Sequence, residues 1–358
     1  MILYRRVKEY LVAEIEKSQE GSILPSQRFL MKRFDVCHLT VRKALEELEK
    51  EGLIIKKQGK GIFVRKKIPF LSQMKILIVA PFNWKTDFYS SFPFMEKLID
   101  EAIERHIQIQ IFPFRGNHYE LIRTVDSERF NGVIWLMPWE KDLPVMNEIF
   151  EGGSHVMAIN RILPDLNLNY VSTDHQNGAY QATRYLIEEG HTRIGFAGYI
   201  EASHIIQRYS GFRRAFSEAG LNLKESGTAK AFMEESENWA VQLKKDFKKM
   251  LFSHQPTAIF VSGISILLNG VLPVLREEKI RIPQDLEVVT YDEIPDDIPE
   301  KAAIHELAQP FCEMGKISIE KIEGIVKGIC RSARITLKPE LLIKNTARPV
   351  LTSSYQKR

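Results

Sequence analysis

The chain has 358 residues, 44% of them hydrophobic and 27% charged, a length beyond one ordinary core and a balance that excludes disordered, fibrous and collagen-like classes. Charges interrupt the apolar residues of the opening MILYRRVKEYLVAEIEK every few positions, so no signal peptide or membrane span is read there and a cytoplasmic protein without membrane contact is expected. Residues 1–67 hold 16 Lys/Arg against 9 Asp/Glu while the remainder holds 34 against 37, so the positive charge sits in front, where it can screen phosphates or simply solvate a linker such as Arg65-Lys66-Lys67. Cys37, Cys312 and Cys330 are odd in number and lack metal-ligand spacing, which reads as reduced thiols; no metal and no cofactor are expected.

In chain order, Tyr4, Val7, Leu11 and Ile15 recur at spacings of three and four, one apolar stripe on a first helix that Gly21 closes. After Leu24-Pro25, Ser26 is placed to cap a short second helix with Phe29, Leu30 and Phe34 on its buried side. A turn at Asp35-Val36 leads to a third helix over 39–51, which buries Val41, Ala44, Leu45 and Leu48. Thr40, Arg42 and Lys43 stay exposed near its start, within reach of a groove. Gly52 closes this helix in the left-handed position, a strand over 53–55 follows, and the chain returns along 62–64. Between the strands, Gln58-Gly59-Lys60-Gly61 makes a tip whose backbone can approach DNA closely with a positive charge at its end.

The strings Gly21-Ser22-Ile23-Leu24-Pro25-Ser26-Gln27-Arg28, Thr40-Val41-Arg42-Lys43-Ala44-Leu45, Glu51-Gly52-Leu53-Ile54 and Gly59-Lys60-Gly61-Ile62-Phe63-Val64 are together similar to the GntR family of regulators. The resemblance implies an N-terminal winged helix-turn-helix over 1–67. It further implies Arg28 and Arg42 as readers of guanine edges, Ser26 and Thr40 as phosphate contacts, and Gly59 and Gly61 at a wing tip in the minor groove. A guanidinium fork suits guanine O6 and N7, though both arginines also read as partners of neighbouring helices. Cys37-His38 stands where most members have Ser-Arg, which weakens the helix cap and puts His38 in the place of a base-reading arginine.

Beyond a linker over 68–74 the pattern alternates. Strands are expected at 76–80, 109–112, 133–137 and 156–159 with a helix near 94–106. The grammar then restarts with strands at 194–197, 258–261 and 287–290 and helices around 176–189, 208–219, 237–252 and 266–278. This is an α/β body over 75–358 with two parallel sheets, hence two lobes, expected as about 75–172 with 305–335 and about 173–304 with 336–358. Ligands of such sheets sit beyond the carboxyl ends of the strands, so a cleft between the lobes is the candidate site. The residues placed there are Phe82, Asn83, Trp84, Trp135, Trp139, Asn160, Arg161, Asp174, His204, Arg208, Ser262 and Asp292. Their mix of carboxylates, amides, arginines and indoles suits a polyol. Trp135 reads more readily as sheet core and His191 as the brace of a turn, while Asp174 reads equally as a helix cap.

Asn160-Arg161, Val171-Ser172-Thr173-Asp174 with Gly178-Ala179, Gly190-His191-Thr192-Arg193-Ile194-Gly195-Phe196, Arg208 with Gly211-Phe212, Pro256-Thr257-Ala258-Ile259-Phe260, Ile282-Pro283-Gln284-Asp285, Tyr291-Asp292, and Gln309-Pro310 with Met314-Gly315 resemble the effector domain of the LacI family. The resemblance covers most of 75–350 and implies a periplasmic-binding-protein-like fold, a homodimer, and ligand contacts from Arg161, Arg208 and Asp292. The fused arrangement resembles arabinose-responsive regulators. Two departures stand out: Gly263-Ile264 replaces a usual Asn-Asp, and Ile304-His305-Glu306 occupies the place of a Thr-Thr pair.

The expected function is therefore control of transcription by a repressor that binds a palindromic double-stranded operator and is governed by a small sugar-like effector, a monosaccharide. A purine, a phosphosugar or an oligosaccharide remains an alternative effector. An enzyme body of the pyridoxal-phosphate type would need a lysine in a cofactor context, and neither a phosphate-cradling glycine loop nor a nucleophile elbow is present. A transport binding protein is opposed by the DNA-binding head.

Overall fold

A computed structural model describes residues 3–50, 52–57, 60–65, 74–81, 88–164, 168–198, 202–223, 228–230 and 239–344. Of the expected site residues, Gly59, Phe82, Asn83 and Trp84 lie outside them.

The head folds as α1 (Leu3–Lys17), α2 (Gln27–Phe34), α3 (His38–Lys50), β1 (Ile54–Lys57) and β2 (Gly61–Val64). The apolar stripe of α1 closes on α3, where Val7, Leu11, Val41, Ala44, Leu45 and Leu48 have no exposed surface. Ser26 caps α2 by accepting from the Phe29 amide at 3.3 Å. The expectation that Phe29 is buried is corrected: it is 46% exposed. Leu30 and Phe34 share the inward face four residues apart, and Phe29 is turned about 100° off that line by the helical step. Phe29 lies instead under the Arg33 guanidinium, 5.9 Å from its ring centre. The strands β1 and β2 pair antiparallel from Ile54 opposite Val64 to Lys57 opposite Gly61, and Ile23 forms an isolated antiparallel bridge to Phe63, which completes a winged helix. Gly61 holds φ at 115°, a conformation that the tight return to β2 requires and that side chains avoid.

The first lobe is a six-stranded sheet in the order β13-β7-β6-β5-β3-β4, with β3 (Lys75–Pro81), β4 (Gln108–Phe114), β5 (Gly132–Leu136), β6 (His155–Ile159), β7 (Asn169–Thr173) and β13 (Arg334–Leu337), all parallel. Helices α4 (Phe88–Glu104), α5 (His118–Glu128), α6 (Leu143–Glu151) and α12 (Phe311–Val326) cover its faces. The second lobe repeats the plan in the order β14-β12-β11-β10-β8-β9, with β8 (Ile194–Gly198), β9 (Thr228–Lys230), β10 (Ala258–Val261), β11 (Glu287–Tyr291), β12 (His305–Ala308) and an antiparallel edge β14 (Glu340–Leu342). It is wrapped by α7 (His175–Glu188), α8 (Ser203–Glu218), α9 (Trp239–His254), α10 (Ile264–Ile266) and α11 (Leu272–Glu277), with a π-turn at Leu267–Val271 between the last two. In both lobes the first strand lies between the second and third, so each sheet has its switch point beside that strand, where side chains from opposite directions leave a crevice.

Three segments cross between the lobes: β7 to α7, β12 to α12, and β13 to β14. The expected lobe boundary is corrected here. His305–Ala308 pairs in parallel with β11, from Val289 opposite His305, so it belongs to the second lobe and the chain crosses only afterwards; the first lobe also reaches Leu337. The replacement of Thr-Thr by His305-Glu306 gains a structural reason. His305 Nδ1 accepts from the Lys344 amide at 3.0 Å, and the Lys344 ammonium donates to Glu306 Oε2 at 2.7 Å, so β12 grips the chain beyond β14. Behind it, buried Glu287 accepts from His191 Nε2 at 2.8 Å and from His305 Nε2 at 2.9 Å. Burial alone would raise this carboxyl, but the two imidazole hydrogen bonds outweigh it and hold Glu287 down at about 2. His191 is thereby a brace, its Nδ1 accepting from the Thr257 hydroxyl at 2.8 Å.

One glycine sets the geometry of the cleft. A Cβ at Gly211 would lie 2.0 Å from the Gln176 carbonyl oxygen, so only glycine lets α8 lie against the start of α7. That close approach brings Arg208, one turn earlier on α8, beside His175 at the first position of α7.

Candidate functional site

Strand ends of both lobes converge on one cluster. From the second lobe come Arg208 on α8, His175 on α7, Tyr291 and Asp292 at the end of β11, and Ser262 after β10. From the first lobe come Asn160 and Arg161 after β6. Asn160 and Asp292 hold φ at 57° and 77°, the left-handed region that short polar side chains tolerate best, and each turns the chain sharply where a strand meets the cleft. Met137, which follows β5, does the same at 47°, an outlier for a bulky side chain and a mark of backbone strain at the rim.

Arg208 is buried, and its guanidinium carbon stands 3.5 Å from the centre of the Tyr291 ring. Its Nη1 donates to the Ser262 carbonyl, and Nε and Nη2 donate to His175 Nδ1 at 3.3 and 3.2 Å. With Nδ1 accepting, the His175 proton sits on Nε2, which donates to the Asn160 carbonyl at 3.4 Å across the lobe boundary. Burial first, then the charges of Arg208 and Arg161, hold His175 neutral, and the same causes, Arg161 ahead of Arg208, act on His204, whose ring centre is 5.9 Å away. Burial likewise raises the Tyr291 phenol.

Asp292 accepts from the Ile264 amide at 3.3 Å through Oδ2 and from Gln309 Nε2 through Oδ1. Gln309 in turn accepts from the Thr173 hydroxyl at 2.6 Å, so one amide ties the carboxylate to two of the three crossing segments. Around this cluster, among the described residues, three buried polar atoms have no hydrogen-bond partner: Asn160 Oδ1, His204 Nδ1 and Ser262 Oγ. Buried polar atoms are normally satisfied, and each one left bare costs about 1–3 kcal/mol. Asn160 follows β6, Ser262 follows β10 and His204 opens α8, so the three atoms stand beside the cluster. Among the described residues no cluster of His, Cys, Asp and Glu is arranged to hold a metal ion, and no helix is long and apolar enough to cross a membrane.

The structure brings together Arg161, His204, Arg208 and Asp292 with the neighbouring Asn160 and Ser262. Asp174 is placed at their edge, where its Oδ1 accepts from the Asn177 amide at 3.0 Å and caps α7. Trp135 is corrected: it is 1% exposed and packs among Leu121, Val125 and Met146, edge-on to Phe114 at 5.1 Å, so it is sheet core. Trp139, two positions past Met137, is half-buried and packs against the core of the second lobe although it is carried by the first. Sequence reasoning missed His175, Tyr291 as a platform for Arg208, and Gln309 as a clasp. Their signal was position alone, each standing next to a strand end or a crossing.

On the head, Arg28 is exposed and has no ion-pair partner among the described residues. Arg42 projects from α3 with Nε bonded to Glu46 Oε1 at 2.7 Å. Thr40 Oγ1 lies 3.3 Å from Cys37 Sγ, a contact that lowers the Cys37 thiol. His38 is exposed at the first position of α3, and Lys60 stands exposed beside Gly61 at the return of the wing. Lys43 is exposed, with its ammonium over the Tyr4 ring, 4.4 Å from the ring centre.

The two neutral histidines give the site a pH signature. Their folded pKa values lie below the ordinary 6.5, so the unfolded chain takes up protons that the folded chain refuses. The stability they contribute is present above pH 6.5 and is lost as pH falls below it. Thermal unfolding at about pH 7.5 and about pH 5.5 is expected to show a smaller drop in Tm for His204→Gln than for the wild type; equal drops would remove His204 from the neutral pair.

Comparison with known proteins agrees with this layout. Residues 3–64 match the model of the bacterial regulatory proteins of the gntR family, and residues 183–346 match the periplasmic binding protein-like domain. The chain is a transcription regulator with a gntR-type head and a periplasmic-binding-protein-like effector domain. It is 28% identical to the arabinose metabolism transcriptional repressor of Halalkalibacterium halodurans over 96% of each chain. It is 23% identical to the repressor of the same description from Geobacillus stearothermophilus over 97% of this chain and 98% of that one. Among solved structures, the transcriptional regulator CelR in complex with cellobiose aligns with a TM-score of 0.65 at 22% identity, covering 87% of this chain and 90% of that one, which supports the fold.

Proposed function

We propose that the chain is a repressor whose hold on a palindromic operator is released when a small neutral sugar, a monosaccharide, binds between the lobes. The observation that carries this reading is the set of three bare buried polar atoms beside an arginine and an aspartate that are not paired with each other. Such a site offers donors and acceptors side by side, the pattern that hydroxyl groups complete. The names of the relatives, arabinose repressors, and the cellobiose held by a regulator of the same fold support a sugar as the class.

Arg28, His38 and Arg42 face the major groove in this reading, Ser26 and Thr40 touch phosphates, and Lys60 with Gly61 enters the minor groove. The protein acts as a homodimer, since one winged helix covers only half of a two-fold site. Closing the cleft changes the spacing of the two heads, and the sugar shifts that equilibrium by its difference in affinity for the two states.

The test is a thermal-shift series on the full chain with pentoses, hexoses and cellobiose, followed by fluorescence anisotropy on duplexes selected from a random library. A sugar that raises Tm is expected to weaken binding to the selected duplex. A sugar that raises Tm without moving the DNA isotherm would refute the coupling, and absence of any preferred duplex would refute the repressor.

A further inference from the structure

We infer that Leu39 is a specificity-determining residue of the head: its side chain packs on the C5-methyl group of a thymine in the major groove of the operator. The inference rests on reading the head as the binder of a preferred duplex and names one base which that duplex carries.

Of the apolar residues on α3, Val41, Ala44, Leu45 and Leu48 have no exposed surface, whereas Leu39 is 69% exposed. Two helical steps turn it about 160° away from Val41, so it stands on the side of α3 opposite the core of the head. Arg42 and Lys43 follow it by three and four residues, the spacing that places side chains on one face, and both are exposed. Packing therefore does not call for a leucine at this position. Helix formation does not call for it either, since alanine is the better helix former and an acidic side chain suits a first turn.

The face that carries Leu39 is the one a recognition helix turns to DNA, with its N-terminal residues at the base edges, and Leu39 is the second residue of α3. Charge favours the same occupant, because residues 1–67 hold 16 Lys/Arg against 9 Asp/Glu. An alkyl side chain neither donates nor accepts a hydrogen bond, so phosphates offer it nothing, and a polar base edge covered by it would lose water without return. The one apolar group that the four bases display in the major groove is the thymine methyl. Closing leucine over that methyl takes both out of water, which is worth about fourfold in affinity for one buried methyl. Leu39 and Arg42 stand about 4.5 Å apart along the helix axis, a little more than one base-pair step, which puts the thymine within about two base pairs of the guanine assigned to Arg42.

Deoxyuridine differs from thymidine only by the missing methyl and so isolates the contact. Fluorescence anisotropy of the full chain is measured on the duplex selected from a random library, with each thymine replaced in turn by deoxyuridine. The wild type is expected to lose about fourfold at one thymine within about two base pairs of the position that Arg42→Ala relaxes. Leu39→Ala, a change at an exposed site, is expected to keep its Tm and its affinity for a scrambled duplex, to bind the thymine duplex about fourfold more weakly, and to show no penalty for deoxyuridine at that position. A deoxyuridine penalty that persists in Leu39→Ala, or its absence at every thymine in the wild type, overturns the contact and leaves the operator reading standing. Equal loss on the scrambled duplex overturns the contact too. A wild type without any preferred duplex overturns the operator reading and the contact together.

Discussion

Asp292→Ala is expected to abolish the effector response at sugar concentrations that saturate the wild type, with operator affinity in the absence of sugar unchanged. The carboxylate is buried, accepts from Gln309 and the Ile264 amide, and faces the space beside Arg208. Removing one partner of a buried, hydrogen-bonded charged contact costs about 2–5 kcal/mol of affinity, roughly thirtyfold to several thousandfold. The head keeps its own hydrophobic core, built from α1, α3 and the wing, so its fold does not depend on this residue. Alanine also brings backbone strain, because position 292 holds φ at 77°. Asp292→Asn separates the two effects, since asparagine tolerates that conformation and keeps the shape. Titration of operator binding against the sugar found by thermal shift distinguishes the outcomes. A response as strong as wild type in Asp292→Asn would take the charge, and with it Asp292, out of ligand recognition.

Arg42→Ala is expected to weaken binding to the selected operator by roughly 5- to 150-fold, the equivalent of about 1–3 kcal/mol at one base pair, while binding to a scrambled duplex changes little. Its side chain is 58% exposed, and Glu46 takes only the Nε proton, so both terminal nitrogens remain for O6 and N7 of a guanine. Lys60→Ala supplies the contrast: a phosphate contact is lost equally on every sequence, and the salt slope falls by about one. Anisotropy on both duplexes at two salt concentrations resolves the cases. Equal loss on both duplexes for Arg42→Ala would show a phosphate contact in place of a base reader.

Much of the head was legible because its signals are local. A helical period of three to four, a serine one residue before a helix, and a glycine after one each act within a few residues, so Val7, Leu11, Ser26 and Val41 fall where the pattern puts them. Phe29 did not, since a short helix with apolar residues at the adjacent positions 29 and 30 has no periodicity to say which one turns inward. In the body, β3 to β6, β8, β10 and β11 followed from alternation, whereas β7, β9 and β12 to β14 were not expected as strands and the segment of β12 went to the other lobe, because pairing partners are chosen by the sheet and not by the strand. Trp135 shows the same limit at a single residue. An aromatic near a strand end can face the cleft or the covering helices, and here α5 and α6 take it.

What the amino-acid order determined by itself was the kind of molecule: a basic winged head, two repeated parallel sheets, and a set of polar residues stationed after strands. Those features are written in spacings of a few residues and survive without knowledge of neighbours. Only the tertiary structure decided which of those residues share a site. Arg208, His175, Asp292 and Gln309 are up to 134 positions apart, and they meet because a glycine lets α8 approach α7 and because three crossings carry the chain between sheets. The neutrality of the histidines and the bare atoms are properties of that enclosure, since burial removes the water that would otherwise satisfy each group.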